Sequence, residues 1–489
     1  MINKMRFFNL VFGLVLALCF TSCSSNQEFK NNIKDEIPSQ FLSKSKNVNN
    51  GDVTDMWWQE FDDNKLNELV EIGLQNNKDI KISNVAILNS RELNNITVSQ
   101  FFPSGSVNLE RQKFASPVFG PNGISYDIYQ ALANVSWEID LFGKNLDHYN
   151  ANKLRFFKEM ELYKTNALRV AAEITQNYIA LKTTQKQIAN LEEILKAQEK
   201  LKEIANNKEK NGLTSKDLTY KAQINYNEAS SNLISIKTNE KIITYRLAVL
   251  LGTTPEKTLE LLKNQTNKEK NRQIFDYNSG IVPIGLKSDI LKRRPDVRAA
   301  EYEIDAALYE KSAQFKAFFP SFSIMGTVGG ANKNLSDVLS DPTNMQNITG
   351  GFSLPIFSYG GLISQYKISK ASEKKAVLNY EKTVLEAVAD CESQLINYIN
   401  ALKIEKTTAD ANLANHKILE ITQNKRQFGF ASDEEVLNSK IATLNSENIL
   451  AQKKYDSLAY LIALHKALGG GFEGYDMKFE KDHVSFVKK

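Results

Sequence analysis

An internal duplication of the sequence is the strongest constraint on how this chain can fold. When the 489-residue chain is shifted along itself by 217 positions, Phe101-Phe102-Pro103-Ser104 falls on Phe318-Phe319-Pro320-Ser321. The same offset aligns Leu74 with Leu291, Asp79 with Asp296, Ser136 with Ser353, Ile139 with Ile356, Gly143 with Gly360, Gly212 with Gly429, Ser215 with Ser432, and Leu251-Gly252 with Leu468-Gly469. A constant offset predicts one structural unit present twice, at residues 64–252 and 281–469. Residues 253–280, rich in Lys, Asn and Thr, are predicted to be the linker.

Each unit is predicted to begin with a helix and to continue with a β-hairpin. In the first unit, a proline-free stretch with apolar residues at helical spacing covers residues 66–100. In the second unit the helix is expected from Ser288, with Pro295 near its first turns. Segments of alternating apolar residues, joined by loops rich in turn-forming residues, then predict hairpins at about 104–137 and about 320–357.

Long helices are predicted for the rest of each unit. Residues 145–211 contain neither proline nor glycine and would span about 100 Å as one helix. Apolar residues recur every seven positions, which is typical of coiled-coil-like packing. They are Ile174, Leu181, Ile188, Leu195, Ala222, Ala229, Ile236, Ile243 and Leu250 in the first unit, and Leu437, Leu444, Ala451 and Leu458 in the second. A fibrous helical bundle would show the same spacing, but the hairpins argue against it.

Each pair of long helices is predicted to turn at a glycine. Gly212 and Gly429 can adopt the left-handed conformation that ends many helices. The residues that follow, Thr214-x-x-Asp217 and Ser432-x-x-Glu435, fit the capping box that begins a new helix. The two units should therefore each contain a long helical hairpin, turning at 212 and at 429.

The first 22 residues resemble a secretion leader that directs a lipoprotein. Two basic residues precede an apolar run over residues 7–20, which is too short for a helix that spans about 20 residues of bilayer. The run ends in a segment that resembles a bacterial lipobox, in which Cys23 would carry a covalent lipid such as palmitate and become the mature N-terminus. An ordinary leader with an incidental cysteine is the alternative. Residues 23–63 would form an anchor and extension, and residues 470–489 a polar C-terminal tail.

The composition excludes several classes of function. The formal net charge is only +4, and basic residues do not cluster, so no nucleic-acid partner is expected. The four histidines lack metal-ligand spacing, and no nucleophile motif or phosphate loop occurs, so neither an enzyme nor a metal or other cofactor is predicted. After the leader no apolar run approaches the length of a spanning helix, so a membrane crossing would require β-strands. Four strands cannot close on themselves, so several copies would have to pool them.

Several segments resemble the TolC-type outer-membrane factors. Val135-Ser136-Trp137-Glu138-Ile139-Asp140-Leu141-Phe142-Gly143-Lys144 is similar to their strand-to-helix junction. Lys292-Arg293-Arg294-Pro295-Asp296-Val297-Arg298 resembles a segment of their lipoprotein branch, which serves resistance-nodulation-division pumps. Residues 317–321, 354–357 and 467–471 also fit, and the resemblance covers about 55–471.

The resemblance implies a mixed α and β membrane protein, a trimeric TolC-like α/β-barrel. Each chain would give four transmembrane β-strands to a twelve-stranded barrel in the outer membrane, and the long helices would form a periplasmic tunnel with residues 253–280 near its equator. The expected function is passive conduction of small molecules or ions from periplasm to exterior, with a membrane-fusion adaptor and an inner-membrane pump as partners. A channel for type I protein secretion is the alternative, and a coiled-coil lipoprotein without a pore is another.

The resemblance also assigns roles to residues at the helical turns. Adaptor contacts would fall on Gly212, Leu213, Thr214, Gly429, Phe430 and Ala431. A pore gate or selectivity ring would involve Glu435, Asp217, Arg426, Asp433 and Glu434. Simpler interpretations stand beside both sets, because the glycines serve equally well to end helices and Glu435 fits a capping box. Asn438 replaces an acidic residue of the family pattern, which would weaken a charged ring.

Overall fold

The computed structural model describes residues 40–42, 48–49, 56–116, 124–263, 282–284, 287, 290–340, 343–471, 475–480 and 483–488. The expected leader, the lipidation site at Cys23 and most of the linker lie outside these residues. Among the described helices none is long and apolar enough to cross a membrane.

Helices dominate the described chain. After a 3-10 helix at Trp57–Phe61 they are α1 (Asn64–Asn76), α2 (Lys78–Ser99), α3 (Lys144–Lys210), α4 (Lys216–Leu250), α5 (Pro255–Lys263), α6 (Ile290–Arg293), α7 (Pro295–Lys316), α8 (Asp337–Ser340), α9 (Gly361–Gln427) and α10 (Asp433–Leu468). The first part of the expected linker is therefore helical, as α5.

The strands of the described residues form three small sheets. They are β1 (Val48–Asn49), β2 (Ser104–Ser116), β3 (Ile124–Ile139), β4 (Val282–Pro283), β5 (Ser321–Asn332), β6 (Thr343–Ser353), β7 (Tyr475–Glu480) and β8 (His483–Lys488). The main sheet has the order β2-β3-β5-β6 with all neighbours antiparallel. β1 pairs with β4 in parallel, and β7 pairs with β8. The β7–β8 hairpin lies in the C-terminal tail and was not predicted from the sequence.

The chain divides into two compact units, each containing parts of both repeats. The first comprises Met1–Asn84, Leu162–Val297 and Thr383–Lys489, and the second Val85–Glu161 and Arg298–Lys382. In the first unit, the heptad positions of α3, α4 and α10 meet in one apolar cluster. Its buried members are Leu191, Ile194 and Leu233, flanked by Ile188, Leu195, Ala229, Ile236, Ile441 and Leu444. The sevenfold spacing thus marks the face on which these helices pack.

The predicted single helix over residues 66–100 is wrong at one point, because Asn77 separates α1 from α2. The Asn77 Oδ1 atom accepts hydrogen bonds from the backbone amides of Asp79 (2.9 Å) and Ile80 (3.2 Å). Its side-chain amide donates to the carbonyl of Leu250 at 2.9 Å. Asn77 therefore caps the start of α2 and joins it to the end of α4.

A partly buried arginine, Arg294, joins the start of α7 to α9 and α10 in the first unit. The Arg294 guanidinium contacts the carboxylates of Asp296 (2.7 Å) and Asp390 (3.3 Å), and it donates to the Ala467 carbonyl at 2.8 Å. The Cys391 thiol donates to the same carbonyl at 2.9 Å, and burial raises the pKa of that thiol to about 12. Cys391 is thus an unreactive packing residue, in accord with its helical setting.

The 3-10 helix is held against the end of α10 by aromatic stacking. The Trp57 indole lies parallel to the imidazole of His465, with ring centroids 5.3 Å apart and an interplanar angle of 7°. Both rings are buried. Trp58 and Phe61 meet Trp57 edge-on. These contacts attach the segment that precedes α1 to the body of the first unit.

In the second unit, α3 and α7 are joined by a series of charged and polar contacts. They are Lys316–Asp147 (2.5 Å), Lys158–Glu303 (2.9 Å), Arg298–Glu161 (3.1 Å), His148–Glu310 (3.4 Å) and Arg155–Glu310 (3.5 Å). Next to this series, the Phe142 and Phe319 rings stack with centroids 5.1 Å apart. The stacked pair lies where β3 and β5 adjoin α3 and α7 in the sequence.

Candidate functional site

The two helical turns, which we call tip 1 (residues 211–215) and tip 2 (residues 428–432), share one backbone design. Gly212 and Gly429 have φ angles of 69° and 79°. In tip 1 the Leu213 amide donates to the Lys208 carbonyl at 2.8 Å, and in tip 2 the Phe430 amide donates to the Lys425 carbonyl at 2.8 Å. This is the Schellman arrangement, in which glycine relieves the strain of the left-handed conformation.

Both tips present large apolar side chains to solvent. Leu213 is 75% exposed in tip 1, and Phe428 and Phe430 are 75% and 81% exposed in tip 2. An ideal Cβ at either glycine would meet nothing within 4 Å. The tips thus have room around them and apolar surface on them, as a contact site for another protein would.

Helix α10 begins at tip 2 with a complete capping box. The Ser432 Oγ atom accepts from the Glu435 amide at 3.2 Å, and the Glu435 carboxylate accepts from the Ser432 amide at 2.8 Å. The predicted capping box at this position is confirmed. The carboxylate of Glu435 is exposed and carries its negative charge at the start of the helix, where the helix dipole favours it.

The capping box predicted at tip 1 is wrong. Helix α4 begins at Lys216, so the N-cap residue is Ser215 and not Thr214, and its side chain makes no capping bond to the described backbone. The Ser215 hydroxyl instead donates to the Asp217 carboxylate, which also contacts Lys221 at 3.5 Å. Asp217 therefore stays within its own helix and does not meet the other predicted gate residues.

At tip 2 a bidentate ion pair joins the end of α9 to the start of α10. Arg426 Nε lies 2.6 Å from Asp433 Oδ1, and Arg426 Nη2 lies 2.9 Å from Asp433 Oδ2. Hydrogen bonding to the guanidinium lowers the pKa of the Asp433 carboxyl. Both side chains are about half exposed or more, so the pair is worth little as an isolated surface contact.

Further ion pairs join α3 to α10 and thereby connect the two helical hairpins. Lys208 Nζ lies 2.7 Å from the Glu434 carboxylate, and Lys440 Nζ lies 2.8 Å from that of Glu193. Hydrogen bonds lower the pKa of Glu193 to about 2, with the larger effect from Lys440 and the smaller from Lys196. These partners were not predicted from the sequence. Lys208 had only the signal of a basic residue in a last helical turn, which does not identify a partner 226 positions away.

The structure therefore brings together only some of the predicted site residues. Arg426, Asp433, Glu434 and Glu435 cluster around tip 2, and Lys208 joins them from the end of α3. Over the described part of the chain, no group of three or more His, Cys, Asp or Glu residues could hold a metal ion. The cluster is a set of exposed and half-exposed charges that connects three helix ends.

The sequence matches the family described as outer membrane efflux protein over residues 69–253 and 286–470. Multidrug resistance outer membrane protein MdtQ of Escherichia coli O157:H7 is 25% identical over 494 residues, covering 96% of this chain and 100% of that protein. Toxin and drug export protein A of Aggregatibacter actinomycetemcomitans is 23% identical over 464 residues, covering 94% of this chain and 97% of that protein.

Among solved structures, the crystal structure of the Campylobacter jejuni CmeC outer membrane channel superimposes with a TM-score of 0.78. The two sequences are 25% identical, and the match covers 88% of this chain and 91% of that one. The fold is thus that of TolC-like outer membrane channels, with long helices and a small antiparallel sheet.

Proposed function

This chain belongs to the outer membrane efflux protein family, and from that membership we propose that it is the outer-membrane channel subunit of a tripartite efflux pump. The observation that carries the proposal is the family match over both halves of the chain, each of which contains one β-hairpin and one long helical hairpin. The channel conducts small molecules or ions passively from periplasm to exterior and performs no catalysis.

The working assembly is a homotrimer in the outer membrane, with its helices in the periplasm and a lipid on Cys23. Three copies pool their strands into a closed twelve-stranded sheet. Two features support pooling: β2 and β6 are the edge strands of the described sheet, and exposed apolar residues recur along helices of the first unit. These residues are Ile242, Tyr245 and Val249 on α4 and Ile404 and Ile418 on α9.

The tips are the regulated end of this channel. The periplasmic adaptor contacts Gly212, Leu213, Thr214, Gly429, Phe430 and Ala431, and the inner-membrane resistance-nodulation-division pump supplies the energy. The Arg426–Asp433 and Lys208–Glu434 pairs hold the tips of each chain in one arrangement. Three copies of Glu435 form a ring of carboxylates that favours cations in a narrow passage.

A second candidate function is the outer-membrane channel of a type I protein secretion system. It is favoured by one observation, the name of a relative that matches 94% of the chain and refers to export of both a toxin and drugs. The two functions share the same channel and differ in the inner-membrane partner. Deleting the gene tests them together, because sensitivity to small toxic compounds will rise under the first function, and loss of a secreted protein will be seen under the second.

The channel itself is tested with purified mature protein in detergent. We expect a native mass of three chains after correction for bound detergent, and discrete conductance steps when the protein is added to a planar bilayer. A monomer that is stable in detergent would leave the four strands without a partner and would overturn the proposal. A trimer that shows no conductance would refute the channel function and would still support the trimeric assembly.

A further inference from the structure

A cavity of about 400 Å³ lies in the second unit between α3, α7 and α9. Its lining combines charges of both signs, neutral polar groups and a small apolar surface. It includes Arg155 on α3, Glu303, Ala307 and Glu310 on α7, and Ile368 and Ser372 on α9. A space of this size suits a small organic molecule better than a single ion.

The helices around the cavity are held together by ion pairs outside its lining. Lys311 Nζ lies 2.6 Å from the Glu373 carboxylate and joins α7 to α9. Arg298 Nη2 lies 3.1 Å from the Glu161 carboxylate and joins α7 to α3. The cavity is therefore a preformed feature of the packed helices, and its own charged groups are not the only ones that join them.

The charged pair in the lining is more loosely bonded than its neighbours. Arg155 and His148 lie 3.5 Å and 3.4 Å from the Glu310 carboxylate, whereas the other pairs between α3 and α7 measure between 2.5 and 3.1 Å. A charge-assisted hydrogen bond measures about 2.7–2.9 Å, so Glu310 and Arg155 can each accommodate a closer partner. The other carboxylate of the lining, Glu303, is matched by Lys158 at 2.9 Å, so neither sign of charge predominates.

Both members of the loose pair are accessible and charged. The side chains of Arg155 and Glu310 are 38% and 29% exposed. Hydrogen bonding to His148 lowers the pKa of the Glu310 carboxyl, which is therefore ionised at neutral pH, and a guanidinium is always charged. Ala307 lies one turn before Glu310 on the same face of α7, where its short side chain leaves space, and Ile368 adds an apolar wall.

We propose that this cavity is a resting site, within the channel, for zwitterionic small molecules that carry an ammonium group beside a carboxylate, as an α-amino acid does, on an apolar body. The ammonium group binds Glu310, the carboxylate binds Arg155, and the body lies over Ala307 against Ile368. A molecule with one charge would satisfy one member of the pair and be repelled by the other. The inference rests on the proposed channel function and names a class of substrate for it. Binding is weak enough for release, as stepwise conduction requires.

Three fluorescent compounds that share a dansyl group test the choice of ligand on the trimeric protein in detergent. Nε-dansyl-lysine is the zwitterion, dansylcadaverine lacks its carboxylate, and the Nα-acetylated form of dansyl-lysine lacks its ammonium charge. We expect the zwitterion to bind about tenfold more tightly than either analogue, since each analogue loses one charge-assisted contact. Equal binding of all three would show adventitious uptake of the dansyl group and would overturn the proposal.

Variants identify the cavity as the place of binding. Arg155→Gln should weaken binding of dansyl-lysine to the level of dansylcadaverine and leave dansylcadaverine itself unchanged, because only the carboxylate loses its partner. Ser372→Phe, at an exposed position of α9, should block the cavity for all three compounds without breaking an ion pair. Arg298→Gln is the matched control, because it removes an α3–α7 ion pair outside the lining and should leave binding intact.

Planar bilayers test whether the cavity belongs to the conducting passage. Dansyl-lysine should lower the conductance of the wild-type channel in a concentration-dependent way and have no such effect on Arg155→Gln. A wild-type protein without a trimer or without conductance would overturn the proposed function and this inference together. A conducting trimer that binds dansyl-lysine without a change in conductance, or whose binding is unaffected by Arg155→Gln and Ser372→Phe, would overturn the resting site alone.

Discussion

Glu435 stabilises the first turn of α10 as well as carrying a charge. Its carboxylate accepts the Ser432 amide and its own amide binds the Ser432 side chain, so the residue closes the first turn of α10. This role was predictable from four consecutive residues. A role in ion selectivity depends on neighbouring copies and stays a prediction. The two roles are separable by experiment because only one of them requires charge.

We expect Glu435→Ala to lower the preference of the channel for cations. If loss of the three carboxylates weakens the attraction of a cation by about 1 kcal/mol in total, the permeability ratio of cations to anions falls about fivefold. Planar-bilayer reversal potentials measure this ratio. Ser432→Ala is the matched control, because it breaks the same capping box, at about 1 kcal/mol of helix stability, and keeps the carboxylate. Unchanged ion selectivity in Glu435→Ala would refute the assignment of Glu435 to a carboxylate ring in the pore.

His465 makes the stability of the first unit sensitive to acid. Burial lowers the pKa of its imidazole from the ordinary 6.5 to about 4. Above pH 6.5 the ring is neutral in both folded and unfolded chains, and between pH 6.5 and 4 only the unfolded chain binds the proton. The free energy of unfolding therefore falls as the pH falls through this window, by roughly 3 kcal/mol in total.

Replacing His465 with Phe removes the proton site and retains a ring beside Trp57. We expect the thermal midpoint of the detergent-solubilised protein to drop less between pH 7.5 and pH 4.5 in this variant than in the wild type. The carboxylates titrate in both proteins, so the difference between the two changes in thermal midpoint isolates the contribution of His465. Equal shifts would mean that the imidazole does not govern acid sensitivity.

At the scale of the elements, the long helices and their turns were predictable, and the details of their ends were not. Proline-free stretches and sevenfold spacing locate α3, α4, α9 and α10, since these signals are local and repeated. The break at Asn77 depends on the Leu250 carbonyl, which lies 173 positions away. The Lys208–Glu434 pair likewise depends on how two hairpins pack. Local patterns carry no information about such partners.

Gly429 provides a test of tip 2 as a contact site. Gly429→Trp has space, because nothing lies within 4 Å of a Cβ there, but the left-handed backbone costs roughly 1–2 kcal/mol. We expect the trimer to persist and pump function to be abolished, because the indole blocks the adaptor. Gly429→Ala carries the same backbone strain without the bulk and should retain efflux. Normal drug resistance in the Trp variant would refute the tip assignment.

At the scale of the whole molecule, the duplicated sequence predicts two similar halves but not the chemistry at each junction. Equivalent positions carry ion pairs between α3 and α7 and exposed apolar residues on α2 and α9. The sequence alone gives no reason to compare these positions until the contacts of one set are known. The predicted lipid on Cys23 would attach the whole mature chain to the membrane.

We expect Cys23 to be the only site of lipid attachment. Cells grown with labelled palmitate should incorporate the label into the wild-type protein, and Cys23→Ser should abolish incorporation because the acceptor thiol is lost. Cys391→Ser is the matched control and should be labelled like the wild type, since the Cys391 thiol is buried. An unlabelled wild type would favour an ordinary leader, and a labelled Cys23→Ser variant would require another acceptor.

The two tips differ in how they are fastened, and this difference has a mechanical consequence. Tip 2 has a capping box and the Arg426–Asp433 clasp, whereas the described residues of tip 1 form neither. Amide protons of residues 213–218 should therefore exchange with deuterium faster than those of residues 430–435. A ring of three such chains would alternate a flexible tip 1 with a rigid tip 2. The rigid copies of tip 2 would set the rotational alignment of a docking partner, and the flexible copies of tip 1 would adjust to its shape.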